Sequence, residues 1–495
     1  MLMRRSPGRR LRTALPLLAA LLVLGPLGWM WASSFVPSQY AATEMGYVDD
    51  GGVPVPGGHD HGGSSGGVPV ASLTGDVDGP ADVAVTLVAR QERFRLATGE
   101  EVDGYTLNGT SPGPTLHVGQ GKLLEVRLVN ESVAGGTTLH WHGVAVPNAD
   151  DGVAGVTQDA VPVGGSHVYR FRPGHAGTYW YHAHQLSHEQ VERGLLGALV
   201  VDPPGAVVDE TTDVVALTHL YAGRRTVAGR TGDVPVPADP GRPVRIRVIN
   251  TDNGPIRSWV DGAPFRVLAV DGTDVHEPTP VSGTAVDVTA GGRVDLEVVP
   301  PATGAVRLTV GGASALVVGP SGAPAPPPSR QPEAVVDLLH YGTPAPLGFD
   351  PATAARSFDY AIGRRPGFVD GRPGLWWTVN GHLFPDMPMF TVAQGDVVRM
   401  HITNTSGEVH PMHLHGHRMV VLARDGVAAS GSPWWVDSLG VGDGESYDVA
   451  FVADNPGIWS DHCHNLIHAR DGLIVHLMYA GVTPSYRIGG ANSPE

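Results

Sequence analysis

Beyond its N-terminal region the chain is written in short runs that alternate apolar and polar residues. One run, Gly121-Lys-Leu-Leu-Glu-Val-Arg-Leu-Val-Asn130, has its apolar residues largely on alternate positions and ends in a turn residue, the pattern of a half-buried strand. Gly241-Arg-Pro-Val-Arg-Ile-Arg-Val-Ile-Asn250 and Gly395-Asp-Val-Val-Arg-Met-His-Ile-Thr-Asn404 follow the same rule. Each reads Gly, five residues, a basic residue, two residues, Asn. Three copies at domain-sized spacing predict three versions of one β-domain. The abundance of Gly (67) and Pro (43) fits many short strands joined by turns. The expected architecture is all-β, with domains over 81–203, 205–319 and 333–486, a Pro-rich linker over 320–332 and a tail over 487–495.

The N-terminus breaks the alternation. Residues 1–12 are basic, and 13–32 form an apolar run of about the 20 residues that span a bilayer. Segment 1–32 therefore predicts a membrane anchor or a signal peptide. Trp29 and Trp31, placed like interfacial residues, favour the anchor. Either way the rest of the chain is expected outside the cytoplasm, anchored at the cell surface or secreted. Residues 33–80, with Gly57-Gly-His-Asp-His-Gly-Gly-Ser-Ser-Gly-Gly67, read as a flexible tether too poor in apolar residues to fold alone, and His59 and His61 as part of it.

Charge narrows the function. A formal net charge of −16 without an evident basic patch argues against nucleic-acid binding. Cys463 is the only cysteine, so an intramolecular disulfide is impossible. It stands in Ser460-Asp-His-Cys-His-Asn-Leu-Ile-His468, between two histidines and five residues before a third. On a strand, Cys463 faces one way and His462 and His464 the other, so one strand could serve two sites. Cysteine and histidine together favour copper or zinc.

Histidine pairs recur. His140-Trp-His142 and His182-Ala-His184 lie in the first domain, His413-Leu-His415 and His462-Cys-His464 in the third, at matching distances from the repeat. The middle domain has only scattered histidines such as His219 and His276. Residues i and i+2 share a strand face, so each pair offers two imidazoles side by side. Eight exceed what one tetrahedral zinc uses, which implies a cluster of two or three ions. His410, Cys463 and His468 remain, and two histidines with one cysteine define a blue-copper electron-transfer site.

These four segments resemble the copper-binding motifs of the three-domain, laccase-type multicopper oxidases, from about residue 81 onward; Asp454-Asn-Pro-Gly-Ile-Trp459 is similar to that family's approach to the cysteine strand. The resemblance implies three cupredoxin-like Greek-key barrels and four coppers. It implies type 1 copper on His410, Cys463 and His468, type 2 on His140 and His413, and a type 3 pair on His142, His182, His184, His415, His462 and His464. Donors are then oxidised one electron at a time at type 1, and O2 is reduced to water at the other three ions. Leu473 takes the axial position beside type 1 copper, where it cannot coordinate. Asp151 stands where the family carries an acidic residue near the cluster; a plain turn aspartate in Asn148-Ala-Asp-Asp-Gly152 is the competing reading. The Glu that some bacterial members carry after the last type 1 histidine is Ala469 here, leaving Asp461 and Asp471 as nearby acids.

The expected partners are O2 and a small reducing substrate (a phenol, an aromatic amine or a low-valent metal ion), with the chain a monomer and attached to the membrane if segment 1–32 is retained. A copper-storage or cuprous-oxidase role is the rival. Storage needs no division between sites, and Met387, Met389, Met412 and Met419 form no Met-rich insertion, so they read as core. His188 and His417 read as structural or surface residues. A copper nitrite reductase disagrees with the threefold repeat and with a cysteine in the last domain.

Overall fold

The computed structural model describes residues 8–52, 67–97, 99–206, 209, 211–312 and 314–495, without the side chains of 8–17 and 19. His59 and His61 lie outside these residues. The alternating runs do become strands. Leu124–Asn130, Val244–Asn250 and Val397–Asn404 bury every second side chain or more.

The threefold repeat marks one structural position. Each of these strands runs parallel to a strand that precedes it and antiparallel to one that follows: Val83–Arg95 and Ser166–Phe171, Asp213–Tyr221 and Arg293–Val298, Arg356–Val369 and Ser446–Val452. The Asn that ends each copy closes the turn beyond it. Asn130 Nδ2 donates to the carbonyls of Val133 and Val161, Asn250 Nδ2 to those of Gly254 and Val288, and Asn404 Nδ2 to those of Glu408 and Val441. An amide with two donors is what a buried turn with orphaned carbonyls needs.

Three pairs of sheets result. The first unit stacks two four-stranded sheets, the second a six- and a five-stranded sheet, and the third a six- and an eight-stranded sheet. Each has its own apolar core, around Trp141 and Tyr169, around Phe265 and Leu296, and around Phe390 and Trp459. The stretch after the linker is shared. Val335 bridges Ala285 and Tyr341 joins the second core, while Leu339 joins the third. The linker is pinned as well, with Pro326 accepting from Arg307 Nε and Ser329 Oγ from Trp259 Nε1.

One expectation needs correction. Residues 33–80 are not a free tether over their described parts. Tyr47–Asp49 adds a parallel strand to Pro388–Val392, Val68–Pro69 pairs with Val482–Thr483, and Val70 is fully buried in the third core. The tail 487–495 is held in place, since Ile488–Gly489 pairs with Gln39–Tyr40 and Ser493 O accepts from Leu186 N at 2.6 Å. Both segments have few apolar residues of their own, but the surface of a completed barrel supplies the burial they lack. Gly8–Ser33 is a helix with Leu21, Leu22 and Trp29 exposed. Among the described residues no helix is long and apolar enough to cross a membrane, and much of the run 13–32 lies outside the described side chains.

Val70→Asp tests the anchoring of the N-terminal arm. A carboxylate in the third core should cost roughly 3 kcal/mol, lowering the urea midpoint of that unit. An unchanged midpoint would mean that the arm is a tether after all.

Candidate metal centre

The strand Ile458–Cys463 does what its sequence requires. His462 pairs across the sheet with His413, and Cys463 with Met412, so the two neighbours face opposite sides. On one side, Cys463 Sγ lies 3.5 Å from His410 Nδ1 and 3.7 Å from His468 Nδ1, with 3.2 Å between the two nitrogens. Donor atoms that share one ion at about 2.0–2.3 Å stand roughly 3.3–3.7 Å apart, so this triangle is sized for a metal. Its outer nitrogens are held. His410 Nε2 is 2.7 Å from Ser406 Oγ, and His468 Nε2 is 3.4 Å from a Glu408 carboxylate oxygen. Trp377 packs on both rings, at 4.7 and 4.4 Å between centroids.

On the other side, eight histidines from two units converge. His140 stacks on His415 at 3.8 Å and His142 on His413 at 3.7 Å, each pair joining the first unit to the third. His140 lies opposite His182 in its own sheet. His413 Nε2 lies 3.4 Å from His140 Nε2, and His415 Nε2 lies 3.1 Å from His462 Nε2.

Hydrogen bonds on the far side of the rings decide which nitrogen keeps its lone pair. His140 Nδ1 donates to the carbonyl of Asp151 at 3.0 Å, and His413 Nδ1 to that of Asp437 at 2.8 Å. His182 Nδ1 donates to the carbonyl of Ala183, and His415 Nδ1 to Asp151 Oδ2 at 3.0 Å. Each of these rings keeps its Nε2 for the centre. His142 is turned the other way. Its Nε2 meets Ser438 Oγ at 3.0 Å and Asp437 Oδ1 at 3.2 Å, leaving Nδ1 without a partner. His182 Nε2 and both nitrogens of His184 and His464 are likewise buried without partners.

Burial sets the protonation. It pulls His142, His182, His184, His413, His415 and His464 well below the usual imidazole range, reinforced by the neighbouring rings. Burial, then His468, brings His410 down to about 3. These rings are therefore neutral, the form that binds metals. Burial pushes the Cys463 thiol up, and only a cation beside it would favour the thiolate.

Family comparison agrees with the geometry. Models described as "Multicopper oxidase" match residues 89–206 and 353–481. The chain belongs to the multicopper oxidases. It is 28% identical over 461 residues to "Multicopper oxidase MmcO" of Mycobacterium tuberculosis, covering 80% of this chain and 87% of that one. It is 27% identical over 448 residues to "Laccase-5" of Trametes villosa, covering 74% and 84%. The crystal structure of a multi-copper oxidase from Pseudomonas Thermotolerans superposes with a TM-score of 0.66 at 28% identity, over 81% of this chain and all of that one. The fold is cupredoxin-like, and this multicopper oxidase is a copper-dependent oxidoreductase with O2 as acceptor. The residues present fit copper: neutral imidazoles with orphaned nitrogens, and one buried Cys with two His in a triangle.

His140, His142, His182, His184, His413, His415 and His462 fall in the one group and His410, Cys463 and His468 in the other, His464 packs beside His142 and His182, and Asp151 is buried between His140 and His415. Leu473 is buried in the same core as Cys463, and its carbonyl accepts from Cys463 N. His417 is structural, with Nδ1 donating to His415 O and Nε2 2.7 Å from Tyr479 OH. Met387 and Met389 are core residues. Sequence reasoning missed Asp437, Ser438 and Arg293; the trace of Arg293 was a charge at an inward-facing position of an apolar strand, while Asp437 lies in the bend between two strands. It also missed Glu495, whose Oε1 lies 3.7 Å from His462 Nδ1 and 3.9 Å from His184 Nε2.

The neutral rings make acid stability measurable. Below about pH 6.5 the unfolded chain takes up protons on these histidines that the folded chain refuses. The copper-free protein should therefore lose stability as pH falls from about 6.5 toward 3. Buried Asp150, Asp271 and Asp461, raised by burial, act in the opposite direction but are outnumbered. The melting temperature of copper-free protein should be lower at pH 5 than at pH 7. An equal or higher value at pH 5 would show that the rings are not held neutral.

Proposed function

We propose that this multicopper oxidase is an exported, laccase-like enzyme with four coppers per chain. His410, Cys463 and His468 hold the type 1 ion, and His140 and His413 the type 2 ion. His142, His182, His184, His415, His462 and His464 hold the type 3 pair. Copper bound there would supply one-electron oxidation of a donor at the first site and four-electron reduction of O2 to water at the cluster. The observation that carries this reading is the strand Ile458–Cys463, whose cysteine belongs to one donor set and whose adjacent histidine belongs to the other.

The chain's own groups have defined tasks. His468 has 10% of its side chain exposed whereas His410 is fully buried, so a donor approaches at the His468 edge, beside Glu408 and Trp377. Phenols, aromatic amines and low-valent metal ions are the donor classes. Leu473, buried in the same core as Cys463, would leave that side of the type 1 site without a coordinating group, which would favour a high potential. Asp151 orients His140 and His415 and holds water for proton delivery to the cluster. The chain works as a monomer on the outer face of the membrane or beyond it.

Two variants test the reading. Cys463→Ser should abolish the intense visible thiolate-to-copper band and donor oxidation, while cluster copper measured by metal analysis persists. Donor oxidation that survives would place electron entry elsewhere. Asp151→Asn should slow O2 consumption about 10- to 100-fold and steepen its decline toward alkaline pH at unchanged copper content. A pH profile identical to the parent's would remove Asp151 from proton delivery.

A further inference from the structure

The middle unit supplies none of the paired histidines, yet it reaches the cluster. Its strand Arg293–Val298 begins with an arginine that is completely buried. Arg293 Nη1 and Nη2 donate to the two carboxylate oxygens of Asp437 at 2.5 and 2.6 Å, and Nε donates to the carbonyl of Thr178 at 3.0 Å. Thr178 belongs to the first unit, on the strand that carries His182, and Asp437 to the third. Asp271, also of the middle unit, completes the arrangement. Its Oδ1 accepts from Arg293 N at 2.8 Å, and its Oδ2 accepts from the backbone N–H groups of Asp437 and Ser438 at 3.2 Å.

Asp437 touches two rings of the cluster. Its Oδ1 is 3.2 Å from His142 Nε2, and its carbonyl accepts from His413 Nδ1 at 2.8 Å. A free carboxylate at this point could rotate or take an ion itself, and Asp437 does fall within ligand reach of His142 and His413. The guanidinium fork removes that freedom by engaging both oxygens in one plane. Space is also spoken for: a side chain at Gly143 would run into Arg293 and Asp437, and one at Gly291 into His142 and His464.

We infer that Arg293 is a positioning residue for the cluster. It fixes the Asp437 carboxylate so that His142 presents Nδ1, and in doing so it registers all three units around one copper site. The inference rests on the ligand reading above.

The test is Arg293→Lys, which keeps the buried charge but loses the fork. Chelator competition should show the cluster coppers bound about 10- to 100-fold more weakly, with the type 1 visible band unchanged in the same molecules. EPR of the copper-loaded variant should show extra uncoupled cupric signal from a disturbed pair. Unchanged cluster affinity and EPR, even with a lowered urea midpoint, would overturn the inference and leave Arg293 a structural link only. If Arg293→Lys fails to fold, Asp437→Asn decides, because it keeps the shape and loses the charge that the fork grips. The same selective weakening supports the inference, and parent-like affinity overturns it. His142→Ala separates the two levels. If it loses no cluster copper, the ligand reading is at fault; if it loses copper while Arg293→Lys does not, only the present inference falls.

Discussion

The structure depends on one demand, that eight buried imidazoles turn their lone pairs to one point. Burial alone delivers neutrality but not direction. Direction comes from the nitrogen that faces away, and each backing group removes one of two possible tautomers. Backbone carbonyls of Asp151, Ala183 and Asp437 do this for His140, His182 and His413. Side chains do it for His415 and His142. The inversion at His142 follows from its backing partners, because Ser438 and Asp437 meet Nε2 rather than Nδ1.

That demand explains why the barrels are joined as they are. Four of the rings come from the first unit and four from the third, so neither can complete the set alone. The seam between them must be dry and must keep its register. An ion pair buried across it supports both only if every oxygen and nitrogen is satisfied. Arg293, Asp437 and Asp271 meet this condition with backbone N–H groups and carbonyls as the remaining partners. The segments at either end of the chain act in a similar spirit: Val70 fills the third core, and Ser493 and Glu495 close over the first unit's loop between His184 and Ser187.

Much of this was legible in the sequence because its periods are local. Strand alternation, the Gly-to-Asn repeat and the i, i+2 histidines are written within ten residues, and each shows in the structure, with His184, His415 and His464 just past the ends of their strands. The opposite faces of Cys463 and His462 needed only the strand geometry. What was not legible is non-local. Nothing near Asp437 in sequence announces Arg293, and nothing near Ala469 announces that a carboxylate arrives beside His462 and His184 from Glu495. The N-terminal arm misled for a related reason. Its composition is that of a tether, and its burial is supplied entirely by a partner surface that composition does not describe.

The same chemistry makes copper part of the fold. His142 Nδ1, His182 Nε2, and both ring nitrogens of His184 and His464 are buried with no hydrogen-bond partner from the protein. A buried polar atom left unsatisfied costs about 1–3 kcal/mol, so the four lone pairs open to a metal on these rings together oppose folding by roughly 4–12 kcal/mol. That is comparable with the whole net stability of an ordinary protein, about 5–15 kcal/mol. A neutral ring offers a metal one lone pair, so a bound ion would satisfy one nitrogen on each of these four rings, and binding energy at the cluster would also be folding energy for the seam. Each barrel has a core of its own, so the contribution of the metal falls on the seam between the first unit and the third. A site built this way would be tight for copper and intolerant of misregister for the same physical reason.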